Sequence, residues 1–198
     1  MQTKPILNGI PRLPLSQENV DRANAIFDTF KRGEQRPRNI PLAITLMAKG
    51  SLVEAIPMIE EFLKDQDPDI RAEALQALIL VYHLPEHCHT AWQMLDDENY
   101  EPRRIAATCV GFCYIATKDI GVMQRLASIV ASKDEDWVVR QSAYRALFDV
   151  LNCPYSHPKR PPSGRQMDFQ KEVDWEMIAQ IQRGEVPKTP WDAEVIID

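Results

Sequence analysis

The residues with the most chemical potential sit in one short stretch. "HLPEHCH", His83 to His89, holds three of the four histidines and one of the four cysteines of this 198-residue chain. Imidazole nitrogen and thiolate sulfur are the ligands zinc prefers, four to a site, with paired histidines three to five residues apart. His83 and His87 are four apart, but Pro85 lies between them and breaks the continuous helix that would put both on one face. His87 and His89 could still converge with Cys113, yet no carboxylate stands at H-E-x-x-H spacing. The expectation is a connector with no metal. His83 ends one helix, Pro85–Glu86 opens the next, and His87 and His89 fall in its first turn.

Other reactive groups read the same way. Cys109 and Cys113 are four apart beside Ala106 and Val110, as buried small apolar residues would be. Together with Cys88 and Cys153 they read as free thiols of a reducing compartment, which points to the cytoplasm. The pairs Asp96–Asp97 and Glu60–Glu61 adjoin in sequence but point to different helix faces, and read as solvated charges. No G-x-S-x-G, P-loop or G-x-G-x-x-G occurs, so no catalytic residue and no cofactor are expected. The formal net charge of −6 disfavours nucleic acid, which is bound through clustered Lys and Arg. Residues 67–152 carry 8 basic against 13 acidic side chains, which favours a basic partner there. There is no leader pattern and no apolar run of about 18 residues, so no membrane segment is expected.

Positioning these residues falls to a repeat. "DPDIRAEALQALILVYHL" (67–84), "YEPRRIAATCVGFCYIAT" (100–117) and "DEDWVVRQSAYRALFDVL" (134–151) each open on acidic residues or proline and reach an arginine. Three positions after Arg71, Arg103 and Arg140 stand Ala74, Ala106 and Ala143. Six on are Ala77, Cys109 and Ala146, and seven on Leu78, Val110 and Leu147. Such offsets trace one face of a helix. The arginines lie 32 and 37 residues apart, a period typical of helical-pair arrays. An amphipathic segment precedes each: 51–65 with Ser51 as N-cap, 86–97, and 119–132 with Asp119 as N-cap. The arginines should reach back to inter-helix carboxylates, with Asp67, Asp69, Glu98, Glu101, Asp134 and Asp136 as candidates.

"DPDIRAEALQAL" resembles the second-helix signature of HEAT repeats, in particular the short HEAT-like repeats found also in phycobilin lyases, and "EPRRIAATCVG" and "WVVRQSAYRAL" are weaker copies. The resemblance covers 51–152. It implies an all-α fold, a short right-handed α-solenoid of helix pairs in which second helices line a concave face.

Around this run, residues 1–50 give an extended proline-bearing start and a divergent capping pair, 15–33 and 36–50, with Ser16 and Asn39 as N-caps and Gly33 and Gly50 as stops. A proline-rich linker spans 153–167. Residues 168–198 give one amphipathic helix, with Phe169, Val173, Met177 and Ile181 on its apolar face, and a tail whose Trp191, Val195, Ile196 and Ile197 should dock.

If the core face is fixed by the offsets above, offsets 2, 5 and 9 point to the concave groove. These are Glu73, Gln76 and Leu80 in the first copy, Ile105, Thr108 and Phe112 in the second, and Ser142, Arg145 and Asp149 in the third. Offset 12 adds His83, Ile115 and Asn152. The expected function is non-enzymatic recognition of a protein or peptide partner on this stripe, unless the chain's own C-terminal segment fills it. The lyase resemblance implies an alternative, a tetrapyrrole (bilin) lyase or chaperone-lyase with thiol or imidazole chemistry near Cys113 or His83.

Overall fold

The computed structural model describes residues 16–33 and 37–192. Among them are ten α-helices and no strand, and no helix is long and apolar enough to cross a membrane. The described residues are all-helical in their regular structure, as the sequence predicts. Two compact units meet at the Cys109–Val110 bond, inside a helix. The extended start and the apolar residues Val195, Ile196 and Ile197 lie outside the described residues.

In the N-terminal unit, α1 (Gln17–Lys31) begins at Ser16, whose hydroxyl accepts the Asn19 N–H at 3.2 Å. α2 (Ile40–Lys49) begins at Asn39, which accepts the Leu42 N–H at 2.9 Å, with Pro41 in the first turn. Gly50 follows α2 at φ −78°, so it does not end the helix by left-handed freedom. Glycine is needed there for close approach. A Cβ would stand 2.4 Å from the Ala23 Cβ and 2.9 Å from the Asn19 carbonyl.

The left-handed residue is Ser51, at φ 50°, and this corrects its expected role as an N-cap. A 3-10 turn, Val53–Ala55, leads instead into α3 (Ile56–Phe62), and neither has a side-chain cap. α4 (Pro68–Gln76) is capped by Asp67 and widens into a π-helical turn, Ala77–Val81, closed by the Tyr82 N–H on the Ala77 carbonyl at 2.9 Å. A second 3-10 turn, Pro85–His87, opens α5 (Cys88–Met94), and α6 (Tyr100–Cys113) follows. The core gathers Ile44, Met47, Ile59, Phe62 and Leu78 around Tyr82. The Tyr82 hydroxyl donates toward the carbonyls of Leu52 at 2.9 Å and Met47 at 3.2 Å, so this buried phenol satisfies its polar end.

In the C-terminal unit, α7 (Ile120–Ala131) and α8 (Trp137–Val150) are capped by Asp119 and Asp136 and pack along each other. The single helix expected over 168–184 is two: α9 (Phe169–Glu172) and α10 (Trp175–Gln182). Val173 between them is extended, at φ −89° and ψ 129°. The break follows from aspartate chemistry. The Asp174 carboxylate takes the Met177 N–H at 3.0 Å, while its own N–H donates to the Tyr144 hydroxyl at 2.9 Å. Val173, Met177 and Ile181 are still buried, so the apolar spacing survives the interruption.

Two periodic features bear on the repeat. Ala74, Ala106 and Ala143, with Ala77, Cys109, Ala146, Leu78, Val110 and Leu147, are all at most 1% exposed. In addition, α2, α4 with its π turn, α6 and α8 are each followed by a non-glycine residue in the left-handed region: Ser51, His83, Ala116 and Asn152, with φ of 50°, 58°, 59° and 60°. After Ser51 and Asn152 the next N–H returns five residues, Leu52 to Met47 at 3.2 Å and Cys153 to Phe148 at 2.8 Å. After the π turn the return is one residue longer, Leu84 to Leu78 at 3.0 Å. Beyond α6 the N–H groups of Ala116 and Lys118 donate instead to the Asp149 and Val150 carbonyls at the end of α8, at 2.9 and 3.0 Å.

A left-handed alanine is strained by its Cβ, and glycine relieves that strain while gaining freedom in the unfolded chain. Ala116→Gly is therefore expected to raise stability in urea by up to ~1 kcal/mol. Gly50→Ala, at a close contact with ordinary φ, is expected to lower it by ~1–3 kcal/mol. A loss of stability in Ala116→Gly, or none in Gly50→Ala, would refute the corresponding assignment.

Candidate functional site

Two arginines of the repeat do the same local work. Arg71 Nη1 donates to the carbonyls of Asp65 and Gln66 at 2.8 and 3.0 Å, and Arg103 Nη1 to those of Asp97 and Glu98 at 2.8 and 3.1 Å. In both cases the acceptors lie six and five residues upstream, in the turn that delivers the chain into the helix. Arg71 also grips Asp97 with both edges of its fork, Nε to Oδ2 at 3.0 Å and Nη2 to Oδ1 at 2.7 Å. Both side chains are only 11% exposed.

The partner is thus Asp97 and not Asp67 or Asp69, and Asp97 is no solvated charge. Arg140 departs from the pattern. Its Nε donates to the Val130 carbonyl at 3.0 Å and its guanidinium lies 4.2 Å over the Phe169 ring. Glu101 pairs with Arg104 on its own helix, through two hydrogen bonds.

The N-terminal ends of α2 and α6 and the length of α4 line one groove of about 410 Å³ in the N-terminal unit. α2 contributes Asn39 and Pro41, α4 contributes Asp69, Glu73 and Gln76, and α6 contributes Glu101, Arg104 and Ile105. Of the nine stripe residues expected from the sequence, Glu73, Gln76 and Ile105 are brought together here, with Ile105 buried at the floor. Leu80, in the π turn, and Thr108, whose hydroxyl donates to the Arg104 carbonyl at 3.2 Å, do not line it. Asp69, Glu101 and Arg104 were missed. They lie on the same face one turn earlier, so extending the offsets N-terminally would have found them.

Arg104 is neutralised by Glu101, whereas neither Asp69 nor Glu73 pairs with a cation among the described residues. Glu73 accepts a hydrogen bond from the Thr45 hydroxyl at 2.5 Å. The groove therefore holds two carboxylates with no ion-pair partner among the described residues.

The C-terminal part of the stripe lies in the other unit. Phe112 and Ser142 are half-buried. Arg145 donates to the Pro161 carbonyl at 3.3 Å, and Asp149 forms an ion pair with Arg160. Arg160 also donates to the Cys153 carbonyl and covers the Tyr155 ring. Gln141 adds bonds to the Pro162 and Arg165 carbonyls and accepts the Met167 N–H. Residues 153–167 are thus fastened along α8 and cover Arg145 and Asp149. Burial pushes the Asp149 carboxyl up despite the guanidinium beside it.

In "HLPEHCH", His83 is left-handed after the π turn, His87 is buried with Nε2 3.1 Å from Glu60 Oε1, and His89 is exposed. Glu60 is thus engaged as well. Among the described residues no three His, Cys, Asp or Glu are grouped to hold a metal ion. Within the N-terminal unit Cys88 is disulfide-bonded and Cys109 is a thiol whose pKa burial drives far up. Within the C-terminal unit Cys113 is disulfide-bonded and Cys153 is a buried thiol. The expectation of four thiols is corrected, and the argument for a reducing compartment loses two of its four residues.

Burial would raise the Asp97 carboxyl, but the hydrogen bonds from Arg71 and from the Asn99 backbone outweigh it and hold the group below the ordinary range. A carboxyl lowered on folding stabilises the fold above its unfolded pKa, and that stability is lost as the pH falls through the folded value. Asp97→Asn is expected to cost about 3 kcal/mol at pH 7 in urea titration. The gap from the parent should shrink once the pH drops below about 4; a gap that stays constant on acidification would show that the charge pair is not its source. No family model, curated protein or solved structure matches the chain.

Proposed function

We propose that the chain is a non-enzymatic, HEAT-like α-solenoid scaffold that binds a basic peptide segment of a partner protein across α4 and the N-terminal ends of α2 and α6. The observation that carries this reading is the groove of about 410 Å³, built from three alternate helices and holding Asp69 and Glu73 with no cation paired to them among the described residues. The recurrence of left-handed helix ends every 32 to 36 residues and the matching Arg71 and Arg103 clamps support successive copies of one unit. A lysine or arginine would meet two carboxylates at the rim, and an adjacent apolar side chain would meet Ile105 on the floor. For the bilin-lyase alternative, Cys113 is disulfide-bonded, which leaves His83 as the residue named for its chemistry.

The test is fluorescence anisotropy with a labelled peptide of about ten residues alternating lysine with leucine and serine, against a twin in which glutamate replaces lysine. The lysine peptide should bind and the glutamate twin should not. Asp69→Lys with Glu73→Lys should weaken binding about tenfold, since each exposed charge contributes up to ~1 kcal/mol. Binding that is indifferent to this double reversal would overturn the assignment of the groove.

A further inference from the structure

The C-terminal unit contains a second concavity, unrelated to the groove and unforeseen from the sequence. It measures about 650 Å³, within the range of pockets that enclose small molecules. One wall is aromatic: Tyr144 and Phe148 of α8 pack edge to face at 5.2 Å, and Phe148 lies 5.5 Å from Trp191. Trp191 is held in place by its indole N–H on the Leu151 carbonyl at 2.9 Å. Opposite polar groups come from the segments before and after α9 and α10.

Two residues lining this cavity carry buried polar atoms with no hydrogen-bond partner, Thr189 Oγ1 and Arg160 Nε. Thr189 is 8% exposed and the Arg160 side chain 7%. Buried polar atoms are almost always partnered in folded proteins, so two in residues that line one cavity are unusual. Neither is loose. Thr189 is fixed by its N–H on Asp192 Oδ2 at 2.9 Å, and Asp192 is anchored by Lys118 at 2.6 Å. Arg160 is fixed by Asp149 and the Cys153 carbonyl.

Both unpaired groups can donate a hydrogen bond. The Arg160 Nε–H can only donate, and the threonine hydroxyl can donate. Lys159 and Lys188 also line the cavity, and neither forms an ion pair with any described residue. Of the lining carboxylates, Glu172 pairs with Arg165, Glu176 stands 3.8 Å from Arg183, and Asp174 accepts the Met177 N–H at the start of α10. Lys159 and Lys188 are therefore the lining cations left to meet an acid group.

We propose that this cavity binds a small organic anion with a flat apolar body, the body against Tyr144, Phe148 and Trp191 and the acid group toward Thr189, Arg160 and the two lysines. The proposal is independent of the peptide groove.

The test uses the full chain, with 1-anilinonaphthalene-8-sulfonate as probe and uncharged N-phenyl-1-naphthylamine as its neutral counterpart. The sulfonate should bind saturably at one site per chain, and the neutral compound about tenfold more weakly, the scale of a charge-assisted hydrogen bond. Lys159→Gln with Lys188→Gln should weaken the sulfonate and leave the neutral compound unchanged. Thr189→Val should weaken the sulfonate without lowering the thermal midpoint, because the hydroxyl it removes has no partner in the protein. Unsaturable binding, equal affinity for both compounds, no response to the lysine pair, or a clear fall in the Thr189→Val midpoint would each overturn the proposal.

Discussion

One guanidinium holds three pieces of the N-terminal unit in register. Arg71 supplies donors to the carbonyls of Asp65 and Gln66 just beyond α3, stands in the first turn of α4, and reaches Asp97 beyond α5. The carbonyls at a helix end have no partner within the helix, and a turn that buries them needs an outside donor. Arginine fits this task better than lysine, since its flat fork can serve a carboxylate on one edge and carbonyls on another without losing its charge. Arg103 repeats the carbonyl half of the arrangement one copy later. The groove depends on this, because Asp69 and Glu73 lie on the helix that Arg71 starts.

Local information read well wherever one helix turn decided the outcome. The alanine and leucine offsets were legible because helical periodicity alone says which side chains are buried, and all nine are. The caps Ser16, Asn39 and Asp119 were legible because a short polar side chain before an apolar run has one favourable use. What failed depended on distant partners. Asp97 stands 26 residues from Arg71, and nothing in the spelling of "LDDENY" separates it from its more exposed neighbour in sequence.

Residues 168–184 show the second kind of failure. Their four-residue apolar spacing suits one helix, but Asp174 is worth more as a cap bonded to Tyr144 than as an interior residue. The helix ends show a third. A search for glycine finds Gly50, which serves close packing, and passes over Ser51, His83, Ala116 and Asn152, which make the reversals. Of the stripe, only residues whose groove is formed within one unit came together, and the C-terminal members were claimed by the prolyl segment after α8.

The loop after α6 carries a consequence of its own. Its N–H groups at Ala116 and Lys118 end on the last carbonyls of α8, which leaves each element holding the other's unsatisfied backbone. Neither can fray alone without exposing unpaired groups on both. Slow amide-proton exchange at those two positions should then rise and fall with that of the α8 terminus, as one cooperative opening event, whatever happens to the surface loops nearby.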